Sequence, residues 1–150
     1  MPEALHIRKQ LRDRAVTALT GLAITQEKVF ASRVYEIEDS ELPCLLISTE
    51  QDSAETGSMG YPRLITRTIY LVVKVCVKSS KNFDDKVDAI CLEVEEKLAS
   101  EITLGGLCMD LKLLQTTMEF EAGGESAVGF ASMVWQADIR IVETTPDTAI

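Results

Sequence analysis

The sequence predicts an α+β sandwich: a mixed, mostly antiparallel sheet of about five strands with two α-helices packed on one face, in the order α-β-β-β-α-β-β. Three observations lead there. Two segments repeat apolar residues at helical spacing, and several others alternate apolar with polar residues at period two. The 150 residues, 46% hydrophobic and 26% charged, hold the apolar content of one globular core. Residues 1–143 read as a single domain and residues 144–150 as a polar C-terminal tail.

The first helix is expected over residues 4–22, where Ile7, Leu11, Ala15, Ala18, Leu19 and Leu22 form one stripe between Arg8, Lys9, Arg12, Asp13 and Thr17. A short strand follows in the β-branched and aromatic stretch 28–35, then an acidic turn at 36–41. Residues 42–48 start a second strand just after Pro43, where a missing N–H does little harm. Residues 49–61 are polar and glycine-bearing with no period, so they read as a long loop; 50–60 is the part expected to order on a partner.

Residues 63–78 give the strongest strand signal, with Ile65, Ile69, Leu71, Val73, Val75 and Val77 on one face and Thr66, Thr68, Tyr70, Lys74 and Lys78 on the other. Asn82 offers a cap for the second helix, with Asp84 and Asp85 at the positive end of its dipole. Its stripe is Phe83, Val87, Ile90, Cys91, Val94, Leu98 and Ile102. After the Gly105-Gly106 break, residues 111–121 form a strand with Leu114, Thr116, Met118 and Phe120 on one face. Residues 122–126 turn the chain into the last strand, 128–143, which points Met133, Trp135, Ala137, Ile139 and Ile141 the same way.

The strand lengths carry information of their own. Residues 63–78 would extend about 53 Å at about 3.3 Å per residue, against a diameter of about 40 Å for a domain of this size. Either bulges split the long strands, with residues 66–68 and Gly129 as the kinks, or the strands project as a ribbon whose edge pairs with a neighbouring subunit. The second reading is preferred.

Conventional chemistry is excluded step by step. A net charge of −9 removes the global positive field that would make duplex DNA or anionic lipid an easy partner. No apolar run reaches the length of about 18 residues that spans a bilayer, and residues 1–4 lack a basic start, so a cytoplasmic protein is expected. Cys44, Cys76, Cys91 and Cys108 form no C-x-x-C pair and His6 is the sole histidine, which predicts free thiols and no zinc site. His6 sits beside Arg8 and Lys9 in the first turn of a surface helix, and no G-x-S-x-G elbow or phosphate-binding glycine loop is present. Glu36, Glu38, Asp39 and Glu41 follow no calcium-loop pattern. No catalytic residue, metal site or cofactor is expected.

One resemblance sharpens this. The step Glu41-Leu42-Pro43-Cys44-Leu45-Leu46-Ile47, the long loop after it, the long strand through residues 67–77, the amphipathic helix from Phe83 and the closing strand Trp135-Gln136-Ala137-Asp138-Ile139 resemble, across residues 5–142, the tail terminator (minor tail protein U-like) family of long-tailed bacteriophages. The resemblance implies a non-enzymatic, homohexameric ring that caps the tail tube, stops tube polymerisation and presents a head-joining surface. Its partners would be the major tail tube protein and a head-completion protein, first in the host bacterial cytoplasm and then in the virion tail. The acidic subunits would line a lumen through which DNA passes without specific binding. Subunit and tube contacts are expected at Asp52, Glu55, Tyr61, Arg63, Arg67 and Tyr70. Two other readings stay open: another head–tail connector or tube-related protein, and a small cytoplasmic adaptor or ligand-binding α/β domain.

Overall fold

Two strands form the spine of the sheet in the computed structural model, which describes residues 5–31, 39–78, 82–121 and 128–150. Strand β3 (Leu64–Lys78) pairs antiparallel with β5 (Val128–Val142) without a break, from Leu64 opposite Val142 to Lys78 opposite Val128. Because residues of opposed strands share a face, Ile69, Leu71, Val73 and Val75 line up with Ala137, Trp135, Met133 and Ala131, all of them buried. Helices α1 (Ile7–Leu19) and α2 (Phe83–Ser100) cover that face with Ile7, Leu11, Ala15 and Leu19 and with Val87, Ile90, Val94 and Leu98.

The remaining strands flank the spine. Strand β1 (Val29–Ala31) is parallel to β2 (Cys44–Thr56), β2 is antiparallel to β3, and β4 (Asp110–Glu121) is antiparallel to β5, giving the order β1-β2-β3-β5-β4. Strand β6 (Thr145–Ala149) joins β5 beyond the point where β4 leaves it. The fold class and element order are those expected, with one strand more. Helix α1 lies over β1 and β2, and α2 lies over β3, β5 and β4.

Several boundaries differ from expectation, each for a physical reason. The predicted loop after Ser48 is strand as far as Thr56, because its polar residues pair with residues 65–72 of β3 although nothing buries most of them. The polar tail is β6, held by backbone pairing that side-chain polarity does not reveal. Helix α1 is shorter at both ends than the apolar stripe suggested, and Ile102 lies beyond α2, partly exposed. Asn82 occupies the cap position of α2 without a side-chain cap hydrogen bond. The expected turns at 79–81 and 122–126, and the continuation of β1 through 32–35, fall outside the described residues.

The proposed kinks also lie elsewhere. Neither residues 66–68 nor Gly129 interrupts β3–β5; the register shifts occur in the neighbours, between Glu50 and Asp52 of β2 and between Leu113 and Gln115 of β4. The second shift makes Leu114 the extra residue of a bulge, 45% exposed, and gives the inward face to Leu111 and Leu113 instead.

Gly129 serves packing rather than bending. A Cβ at this position would lie 1.9 Å from Cε2 of Phe83, the first residue of α2, so the ring rests directly on the strand backbone. Gly129→Ala is expected to cost about 1–3 kcal/mol through overpacking, read as a lower midpoint in urea unfolding with an unchanged slope.

Candidate assembly interface

The distal half of β2 is built around one extra residue. Gln51 has φ of 33°, in the left-handed region, and sits at the register shift between Glu50 and Asp52. Thr49 opposes Leu71 and Asp52 opposes Ile69, so both face the helices. Were Gln51 paired as an ordinary strand residue, strict alternation from Thr49 would turn Asp52 to the opposite side of the sheet.

Asp52 thereby meets two guanidinium groups. Arg67 of β3 donates through Nε to Asp52 Oδ1 at 3.0 Å and through Nη2 to Oδ2, while Arg8 of α1 donates through Nη1 to Oδ2 at 2.6 Å. One turn further along α1, Arg12 donates through Nη1 to Thr49 Oγ1 at 2.9 Å. These bonds tie helix to hairpin where the apolar core runs out. Burial works against the Asp52 charge, but the hydrogen bonds from Arg67 and Arg8 outweigh it and hold the carboxyl below its ordinary range.

His6 completes the cluster as the residue capping α1. Its Nδ1 accepts from the Arg8 backbone N–H at 3.1 Å, and its Nε2 lies 3.3 Å from Arg67 Nη1. Burial, reinforced by the charges of Arg8 and Arg67, lowers its pKa and favours the neutral ring that can accept the cap bond. It is thus a cap and spacer rather than a solvated residue of the first turn.

The six residues singled out from sequence divide into three groups. Asp52 and Arg67 are joined in the ion pair. Tyr61 and Arg63 form a second unit at the mouth of the hairpin: the Arg63 guanidinium carbon stands 4.2 Å above the Tyr61 ring, Arg63 Nη2 donates to the Tyr61 hydroxyl, and Arg63 Nη1 pairs with Glu143 Oε2 at 3.4 Å. Glu55 and Tyr70 belong to the other face of the sheet, Glu55 exposed opposite Thr66 and Tyr70 half-buried between Glu50 and Gln136 in register. Sequence reasoning passed over Arg8, Arg12 and Met59. The i, i+4 spacing of Arg8 and Arg12, each one residue after a buried position of the stripe, marks a polar flank turned to the sheet. Met59, fully exposed beside Tyr61 at 77% exposure, forms the tip.

The rest of the described surface offers little for covalent chemistry. All four cysteines are buried thiols outside any disulfide. A hydrogen bond with Cys44, then burial, pushes the Cys76 thiol far up, while burial pushes Cys91 up to about 11 and Cys108 up to about 12, so none of these three is an available thiolate at neutral pH. Among the described residues no group of three His, Cys, Asp or Glu side chains is placed to hold a metal, and no helix is long and apolar enough to cross a membrane. A groove of about 550 Å³ lies between α2 and the entry to β2, lined by Ile24, Leu42, Pro43, Val77, Ala89 and Ile90 together with Lys78, Asn82, Asp85 and Lys86, with no histidine or cysteine.

The sequence matches no protein-family profile and no curated protein. Among solved structures, a chain in the virion of a native gene transfer agent particle is similar in fold, with a TM-score of 0.44 and 14% identity over 91% of this chain and 92% of that one.

Asp52→Asn is expected to destabilise the fold by about 1.5–3 kcal/mol at neutral pH, the range for hydrogen bonds to charged groups. Because the folded carboxyl titrates below its unfolded value of about 3.9, the gap to the parent chain is full above that pH and closes as the pH falls through the folded value. His6 has a lowered folded pKa, so its contribution is full above about 6.5 and declines as the pH falls below it. His6→Asn, which keeps a capping side chain, should remove that component of the slope in urea midpoints measured from pH 8 to pH 3.

Proposed function

We propose that this chain is a structural subunit of a phage or prophage tail which closes into a ring, caps the tail tube, stops its polymerisation and offers the surface to which the head joins. The observation that carries the reading is the open construction of the sheet. Beyond the three residues paired with β1, no described strand pairs with the outer side of β2, and none pairs with the outer side of β4. Exposed strand edges invite pairing with another chain, and natural proteins either block them or use them. Among the described residues an edge is left uncovered on each side of the sheet, and an exposed Met59–Tyr61 tip stands at the turn between β2 and β3.

The family resemblance of residues 41–47 and 135–139 supplies the rest of the reading: six copies, a tube partner and a head-completion partner. Glu55, Tyr61 and Tyr70 are the proposed contact residues. Asp52, Arg63 and Arg67 contribute by fixing the hairpin against α1 and Glu143. In a closed ring of subunits each bearing −9, the lumen would repel the DNA passing through it and so keep it from sticking.

The test is solution mass by light scattering over a concentration series, with negative-stain imaging of the largest species. Six copies of a 16.5 kDa chain give about 100 kDa, and a central hole in that species is the expected result. A chain that stays monomeric at every concentration, with tail tubes present as well as without them, overturns the proposal.

A further inference from the structure

The helical layer separates charge between the two sides of the subunit. Helix α1 carries Arg8, Lys9, Arg12 and Arg14 against the single acid Asp13, whereas α2 carries six acids against Lys86 and Lys97. The separation has a direction. Arg8 and Arg12 occupy the flank of α1 that overhangs β2, as their bonds to Asp52 and Thr49 show. On α2, Glu93 and Lys97 face the end of α1, sharing a cleft with Leu22. Helical spacing then puts Asp84, Asp88 and Glu95 on the opposite flank, above β4, where Asp88 and Glu95 both act on the Cys91 thiol. Within α2 no lysine or arginine shares that flank.

Open backbone and exposed apolar surface accompany the acidic flank. Leu92 is 57% exposed beside Asp88 and Glu95, and Leu114 and Met118 of β4 are 45% and 48% exposed. On the other side of the subunit lie the basic flank of α1 and the part of the β2 edge that no described strand covers. The two surfaces do not overlap, so a contact between them is heterologous and leaves the pair with one unused surface of each kind, one on each copy. Repeated, it closes a ring or grows a filament.

We infer that a second copy of this chain occupies the acidic flank, with the Arg8–Arg12 side of its α1 set against Asp84, Asp88 and Glu95 and its β2 edge beside β4. The inference rests on the ring reading above and assigns the surfaces that reading leaves open. Opposite charges on the two flanks fix the order of the copies, and like charges disfavour the two-fold contacts α1 to α1 and α2 to α2. The apolar residues Leu92, Leu114 and Met118 supply area that the charges orient.

Two charge-reversed chains test it. Lys9→Glu with Arg12→Glu makes α1 acidic while leaving the Arg8–Asp52 bond in place; Asp88→Lys with Glu95→Lys makes the flank of α2 basic. Each alone should raise the concentration needed for assembly by about tenfold or more, since like charges then face each other. An equimolar mixture should assemble again, because every junction between unlike copies regains opposite signs. Carbodiimide cross-linking of the unmodified chain, mixed from two isotopic labels, provides a second readout that does not depend on the variants folding: Lys9 should join Asp88 or Glu95 of a differently labelled copy. If the unmodified chain assembles but its cross-links join α1 to α1, or the folded variants assemble as it does, or their mixture stays apart, the assigned surfaces are wrong and the ring stands. If the unmodified chain never assembles, the ring reading falls and takes this inference with it.

Discussion

The continuous pairing of β3 with β5 is the constraint on which the molecule depends. Fifteen residues of each strand stay in register, so each inward position of one is matched by an inward position of the other and a single apolar wall results. Helix α2 lies on that wall, and α1 lies beside it over β1 and β2 on the same face of the sheet. An interruption in either central strand would have turned part of the wall outward, and the register shifts fall instead in β2 and β4, where a displaced residue meets solvent rather than core. Gly129 follows the same logic: the strand stays straight and the missing side chain makes room for the Phe83 ring.

The charged cluster at the start of α1 closes the open end of this core. Apolar packing against α1 ends at Ile7, and beyond it Asp52 accepts from two arginines that arrive from a helix and a neighbouring strand. A partly buried carboxylate is tolerated because every hydrogen bond it receives is charge-assisted. The geometry depends on the inserted Gln51, whose left-handed backbone spends strain to turn Asp52 inward.

The parts of this structure legible in the sequence are those where burial writes a pattern. Residues 131–141 of β5 and 87–98 of α2 each show one apolar face because each has one buried face, and residues 65–77 of β3 show the same face with Val72 and Cys76 buried on the other side as well. The distal half of β2 has no such face: residues 50–56 are polar or small on both sides, and their order comes from the ladder to β3, which leaves no mark in the side chains. Strand β6, Thr-Pro-Asp-Thr-Ala, is hidden for the same reason. Asp52 and Arg67 could be singled out, yet their pairing could not, since a one-residue insertion decides which side of the sheet Asp52 occupies.

The contact between the first helix and the last strand bears on biosynthesis. Gln10 donates to the carbonyls of both Leu5 and Asp147 at 2.7 and 2.6 Å, and β6 lies against α1. On a ribosome, adding about 5–20 residues per second, α1 must wait several seconds for the strand that seats it, and β3 waits for β5 across an intervening helix and strand. Such long-range closure makes folding slow relative to a helical bundle of the same length. A nascent chain interrupted before β5 and β6 therefore has no completed sheet against which α1 and α2 can be seated.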